Sequence, residues 1–285
     1  MGKINIAAMG AIFKKEYMDT IRNRWLMVIT LIFLLLAVVV SYFNSSNSRG
    51  VGFQNLDDTV IALTSIVSLL VPMVAIMLGH SSIIKERENN SLSTLLSYPV
   101  NRIEVFVGKY VALAAVLFTT IFTGFGGAGI VISMGSRTGI ASYYLHFLLI
   151  TFLMGLIFLG ISMLISVTVK KRSVAVGAGV FTWFFFSMII SMLLTGLYAA
   201  TEGNYHSIFS GEIGPSAWIW KAMFISPIDT YQMHTILIYG VKSVFGIAVP
   251  LLPSYINMWT TLVGLSAWAA IPLIIAIILF SRKDL

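Results

Sequence analysis

Six apolar runs divide the chain, and polar punctuation separates them. They cover about Leu26 to Phe43, Val60 to Ser82, Val105 to Met134, Ser142 to Val169, Val174 to Leu194 and Asn257 to Phe280. Each is about as long as the roughly 18 or more residues an apolar helix needs to cross a bilayer. The pattern predicts an all-α, polytopic membrane protein whose single domain occupies residues 1–285 and has six transmembrane helices. Ahead of the first run, in AIFKKEYMDTIRNRW, Phe13, Tyr17, Ile21 and Trp25 recur every fourth position. Lys14, Lys15, Asp19 and Arg22 take the other faces, so residues 11–25 read as an amphipathic interfacial helix. A water-exposed start to the first span is the simpler alternative. After the fifth run, residues 195–256 are long, mostly apolar and broken by Pro227, Pro250 and Pro253. A structureless loop of that length is uncommon, so short helices are predicted there, lying on or dipping into the outer leaflet. Trp218, Trp220 and Lys221 form an interfacial anchor pattern in that segment.

Composition agrees with this pattern: 58% of the 285 residues are hydrophobic and only 10% are charged. The mean hydropathy is +0.93. A net charge of +7 would point to nucleic acid in a soluble domain. Here the basic residues flank apolar spans, where an anionic leaflet attracts them, so no nucleic-acid partner is predicted. Their distribution also orients the chain. Fourteen of the eighteen Lys and Arg residues fall on one side: in the N-terminal arm, in the segment between spans two and three, at Lys170, Lys171 and Arg172, and in the tail. Only Arg49, Arg137, Lys221 and Lys242 fall on the other, which predicts cytoplasmic termini in a cell membrane. There is no cysteine, and hence no disulfide or thiolate site. No cleavable signal is evident.

The spans also lack the chemistry that several functions need. An ion-coupled carrier places ionisable groups near the midplane, whereas His80, His146 and Lys109 fall near the ends of their runs. Gly108-Lys109 is followed by Tyr110 and lacks the earlier glycine of a phosphate-binding loop. Gly124-Phe-Gly126-Gly-Ala-Gly129 matches a dinucleotide fingerprint in letters only; inside an apolar run, close helix packing is the better reading, and Gly177-Ala178-Gly179 supports the same role. Methionine is frequent at 14 residues, and Met233 with His234 is the first pair to test for a soft metal, although no tight ligand spacing frames them. No nucleophile motif accompanies the outer Ser, His and Asp residues, so no catalytic residue is assigned.

The polar segment between spans two and three is the most informative stretch. Between Ile83 and Lys109 it holds Lys85, Glu86, Arg87, Glu88, Arg102, Glu104 and Lys109. Leu92, Leu95 and Leu96 stand at i, i+3 and i+4 after Asn89-Asn90-Ser91, and Pro99 ends the pattern. This is a short helix, apolar on one side and preceded by Glu86 and Glu88, within residues 84–99. It suits a groove on a cytoplasmic protein, and it equally suits a surface helix that only links two spans.

The run KERENNSLSTLLSYPVNRIEVFVGK resembles the permeases of ABC-2 type transporters, where an acidic pair, a turn, leucines, Pro, Arg and Gly-Lys follow at this spacing. KKEYMDTIRNRW resembles the family's interfacial elbow helix, and FISPIDTYQ its outer Ser/Asn-Pro-x-Asp element, here Pro227 and Asp229 with Tyr231 following. A narrower likeness, in IRNRWL, FQNLDDTVIALTSIVSLLVPMVAIML and LSYPVNRIEVFVGK, is to permeases that serve nitrous oxide reductase maturation. The resemblance implies a permease dimer, a homodimer for a single gene product, contacting membrane lipids and bound to a separate cytoplasmic ATPase. That ATPase would hold ATP and magnesium, so this chain would be no enzyme and carry no cofactor of its own. It implies that Glu86 and Glu88 meet the ATPase while Leu92, Leu95 and Leu96 seat in its groove as a coupling helix. Asn89 and Asn90 replace a glycine pair at the turn. For the cargo it implies either a sulfur or copper-related species passed to an extracytoplasmic assembly protein, or the lipids, peptides or drugs of the wider family. A membrane scaffold that binds the ATPase without transport is the rival reading.

Overall fold

A computed structural model describes residues 6–46, 56–88, 100–135, 142–202, 217–239, 243–244, 247–248 and 252–282. The predicted stripe of Leu92, Leu95 and Leu96, with Asn89, Asn90 and Pro99, lies outside the described residues. The order is α1 (Ile6–Ile21), α2 (Arg24–Ser46), α3 (Leu56–Gly79), α4 (Ile84–Glu88), α5 (Arg102–Gly135) and α6 (Ser142–Thr168). Then come α7 (Arg172–Phe184), a π-helical turn (Phe185–Ile189), α8 (Ile190–Glu202), α9 (Ala217–Ala222), a 3-10 turn (Met223–Ile225) and α10 (Pro227–Tyr239). A strand pair, β1 (Ser243–Val244) and β2 (Ile247–Ala248), precedes α11 (Met258–Arg282). The pair is antiparallel, with Ser243 opposite Ala248, and departs locally from the all-helical expectation.

Five helical stretches are long and apolar enough to cross a membrane: Leu63–Glu88, Arg102–Val131, Tyr144–Thr168, Arg172–Thr201 and Met258–Arg282. The α1–α2 pair, bent by 68°, brings the number to six if it is taken as one span. The bend cuts the predicted amphipathic helix. Asn23 starts α2 afresh, its side-chain oxygen accepting the Trp25 N–H at 3.1 Å as a helix cap does. Phe13 and Tyr17 therefore stack on α1 with ring centroids 5.8 Å apart, Ile21 ends that helix, and Trp25 belongs to the next.

α6 is the centre of the bundle, packing against α3, α5, α10 and α11. Its apolar residues run all around its circumference, as in a helix enclosed on every side. Along its apolar stretch 67% is buried, against 11% for Arg172–Thr201 and 17% for Met258–Arg282, so these two present most of their apolar surface outward. Small residues set the closest approaches. A Cβ on Gly124 would meet the Phe33 Cβ at 2.7 Å, and one on Gly129 would enter the Tyr144 ring. Tyr144 in turn donates to the Phe125 carbonyl at 2.6 Å. The glycine run is thus a helix-packing surface. Gly179 packs against Ile76 in the same way, whereas Gly177 has nothing within 4 Å.

The segment after α8 departs most from a surface reading. α10 is buried from Pro227 to Tyr231 and again from Met233 to Thr235, packed against α3, α6 and α11. Its polar side chains Thr230, His234 and Thr235 all find partners, so nothing compels this helix to face water. Trp220 is also buried, packing with Met233 and Ile256, leaving the exposed Lys221 to lie over the Tyr255 ring at 5.9 Å.

Candidate coupling site

The end of the bundle that carries α4, inner in the predicted orientation, is organised by Lys109. Its residue type and its position, two turns into α5, require a partner, because an ammonium enclosed by protein loses its water. The side chain is 3% exposed, and its Nζ lies 2.8 Å from Glu16 Oε2 on α1 and 2.8 Å from Glu86 Oε1 on α4. One cation thus joins the neighbouring helices α4 and α5 to α1, 93 residues away at Glu16. Gly108, just before it, lets α1 approach: a Cβ there would meet the Ile12 Cγ2 at 3.2 Å and the Met9 carbonyl at 3.3 Å.

The short helix α4 is tied on its other sides as well. Ser166 Oγ on α6 accepts the N–H groups of Ile83 and Ile84 at 3.1 and 3.3 Å, which satisfies donors that a five-residue helix cannot. Arg87 Nη1 donates to the Val169 carbonyl at 3.3 Å. Glu88 Oε1 accepts the Arg172 N–H at 3.0 Å, placing a carboxylate at the positive end of α7, whose own N-cap, Lys171, makes no side-chain cap bond. On the far side of the polar segment, Glu104 reaches back to Asn101, accepting its backbone N–H at 3.0 Å and its side-chain amide at 3.3 Å. Glu86 and Glu88 therefore both have partners inside this chain, and α4 is bonded directly to α5, α6 and α7 and, through Lys109, to α1. Neither Glu16 nor Ser166 stood out in the sequence. The available signal was Lys109, a charge about one turn inside an apolar run.

The opposite end, outer in the predicted orientation, has a different chemistry. Ser226, Pro227, Ile228 and Asp229 take the N-cap and first three positions of α10: Ser226 Oγ accepts the Asp229 N–H at 3.2 Å, and Pro227 sits where no N–H is needed. Ser226 Oγ also donates to the Phe186 carbonyl, at 3.4 Å, in the π-turn. Asp229 Oδ1 accepts from Ser191 Oγ at 3.3 Å, while Oδ2 has no hydrogen-bond partner among the described residues. Tyr231 is fully buried, with its hydroxyl 3.1 Å from Thr151 Oγ1. One turn on, His234 Nε2 lies 2.9 Å from His146 Nε2, and its Nδ1 lies 2.8 Å from Thr261 Oγ1. Met233 points elsewhere, into the Trp220 and Ile256 cluster, so Met233 and His234 do not converge on one point. Among the described residues no three His, Asp or Glu side chains group as metal ligands would.

A family model described as ABC-2 family transporter protein matches residues 10–285. The chain belongs to the ABC-2 transporter family. Two relatives are each described as a probable ABC transporter permease protein NosY. The one from Stutzerimonas stutzeri is 29% identical over 280 residues, covering 95% of this chain and 97% of the relative. The one from Pseudomonas aeruginosa is 29% identical over 282 residues, covering 96% and 98%. This ABC-2 permease is thus NosY-like along nearly its whole length, and is a multi-pass membrane protein of a transport family that is not itself enzymatic. Membership implies a cytoplasmic ATPase as partner.

Proposed function

We propose that this permease is the six-span membrane subunit of an ATP-driven exporter in the cell membrane, with both termini cytoplasmic and α2, beyond the bend, supplying the sixth crossing. Two copies form the translocating unit within the lipid bilayer, and a separate ATPase, holding ATP and magnesium, docks on α1 as elbow helix and on residues 84–99 as coupling helix. Leu92, Leu95 and Leu96 enter the ATPase groove. Glu86 and Glu88 act from behind: they fasten the coupling element to Lys109 and to α7, so that closure of the ATPase moves several helices as one body. The observation that supports this most is the Lys109 bridge from Glu16 to Glu86, because it links both docking elements through one buried charge. The NosY likeness favours a sulfur or copper-related cargo, handed to an extracytoplasmic assembly protein at the surface around α9.

Capture from native membranes on tagged permease tests the reading. It should recover one ATPase, and ATP turnover in the complex should collapse when Leu95 is replaced by Glu. Recovery of no ATPase would refute the proposal, and turnover that ignores Leu95→Glu would favour a scaffold without transport.

A further inference from the structure

Beneath the bend between α1 and α2 lies a cavity of about 530 Å³, bounded by α1, α2, α3 and α5 and reached by Arg172 at the start of α7. Its lining is divided. The exposed Lys15, Lys85 and Arg172 contribute cationic groups; no side chain of the three is ion-paired with a carboxylate among the described residues, and Glu88 bonds only the backbone N–H of Arg172. Deeper in, Leu26, Ile29, Val74 and Leu113 make an apolar wall. Ser82 also lines it; the residue is 7% exposed, and its buried Oγ has no hydrogen-bond partner among the described residues. Of the lining carboxylates, Glu16 and Glu86 are bonded to Lys109, and Asp19 stands on the exposed face of α1. Trp25, half exposed, is part of the lining too.

A cationic set without internal partners, beside a buried idle hydroxyl and above an apolar wall, matches an amphipathic anion. A soluble phosphate would use only the polar part. We propose that this cavity is a binding site for a glycerophospholipid, its phosphodiester held by Lys15, Lys85 and Arg172 and its glycerol and upper acyl carbons lying on Leu26, Ile29 and Leu113. The inference rests on the proposed orientation only for its leaflet, which would be the inner one. Bound there, the lipid bridges α1 to α3 beside the Lys109 node and makes the elbow's position responsive to the membrane's anionic content.

The test is native mass spectrometry of full-length permease taken from bilayers of phosphatidylglycerol and phosphatidylcholine, with ATPase capture scored separately so that failure of the proposed function is told apart. Wild type should retain phosphatidylglycerol through detergent exchange, and Lys85→Glu with Arg172→Glu should retain about tenfold less. Lys85→Arg should retain it as wild type does. Should the double variant not fold, wild type alone decides: Trp25 emission, taken as the difference from Trp25→Phe, should be quenched by a headgroup-labelled phosphatidylglycerol. Equal retention in the double variant, absence of quenching, or displacement of the lipid by millimolar inorganic phosphate would each overturn the proposal.

Discussion

The two ends of the bundle are both polar and both buried, yet they are built from different groups. At the inner end a full positive charge is clamped between two carboxylates, reaching across 93 residues from Lys109 to Glu16. At the outer end imidazoles, hydroxyls and one carboxylate make a network around α10 with no ion pair among the described residues. An ion pair in a dry site holds its geometry strongly, because losing one partner strands the other. Hydrogen bonds between neutral groups exchange partners at lower cost. The end held by Lys109 is therefore the stiffer of the two, and the end around α10 the one whose bonds exchange at lower cost, a contrast that the proposed function would use.

The sharpest way to break that comparison is to remove the clamp. Lys109→Met leaves Glu16 and Glu86 facing each other, and should cost about 3–5 kcal/mol of stability, seen as a large fall in the melting temperature of the purified permease. Combining it with Glu16→Gln and Glu86→Gln should restore much of that stability while ATP turnover stays uncoupled from transport. A triple variant with normal coupling would mean the charges are only structural. Next in size is the outer packing contact: Gly129→Val must displace the Tyr144 ring, and overpacking of this kind costs about 1–3 kcal/mol, read in the same melt.

The outer network should respond less. Thr261→Val removes the partner of His234 Nδ1 and should cost about 1–3 kcal/mol, with transport altered more than ATPase capture. Ser226→Ala deletes the α10 cap and should cost about 1 kcal/mol, measured by thermal unfolding. Smallest is Glu88→Gln, which keeps an acceptor near the Arg172 N–H but removes the charge at the start of α7; about 0.3–1 kcal/mol is expected. If Glu88→Gln proved more damaging than Lys109→Met, the ranking of the inner contacts would be reversed.

Much of this architecture was legible in the apolar runs, because a bilayer imposes one length on every crossing helix and leaves a clear signature. The glycine run was also readable as packing, since no strand precedes it. What could not be read is the pairing. Nothing near Lys109 in the sequence singles out Glu16 or Glu86, and the ties from Ser166 to Ile83 and Ile84 span more than eighty residues. The bend at Asn23 was hidden because the four-residue stripe continues across it to Trp25, while a local cap decides where α2 begins. The burial of α10 was not legible because prolines and tryptophans fit helices lying on the outer leaflet as well as helices dipping into it, and only the packing shows its small hydroxyl residues between α3, α6 and α11. The leucine stripe lies outside the described residues, so its role rests on the resemblance.

The π-turn at Phe185–Ile189 has a consequence for the fifth long helix. One additional residue in the winding turns everything after it by about 100°. The half from Arg172 and the half ending at Glu202 are therefore out of phase, and Ser191 faces Asp229 only because of that offset. Rewinding Phe185–Ile189 as α-helix without a deletion would swing Ser191 away from Asp229, whereas deleting one residue there would absorb the rewinding and leave Ser191 facing the carboxylate.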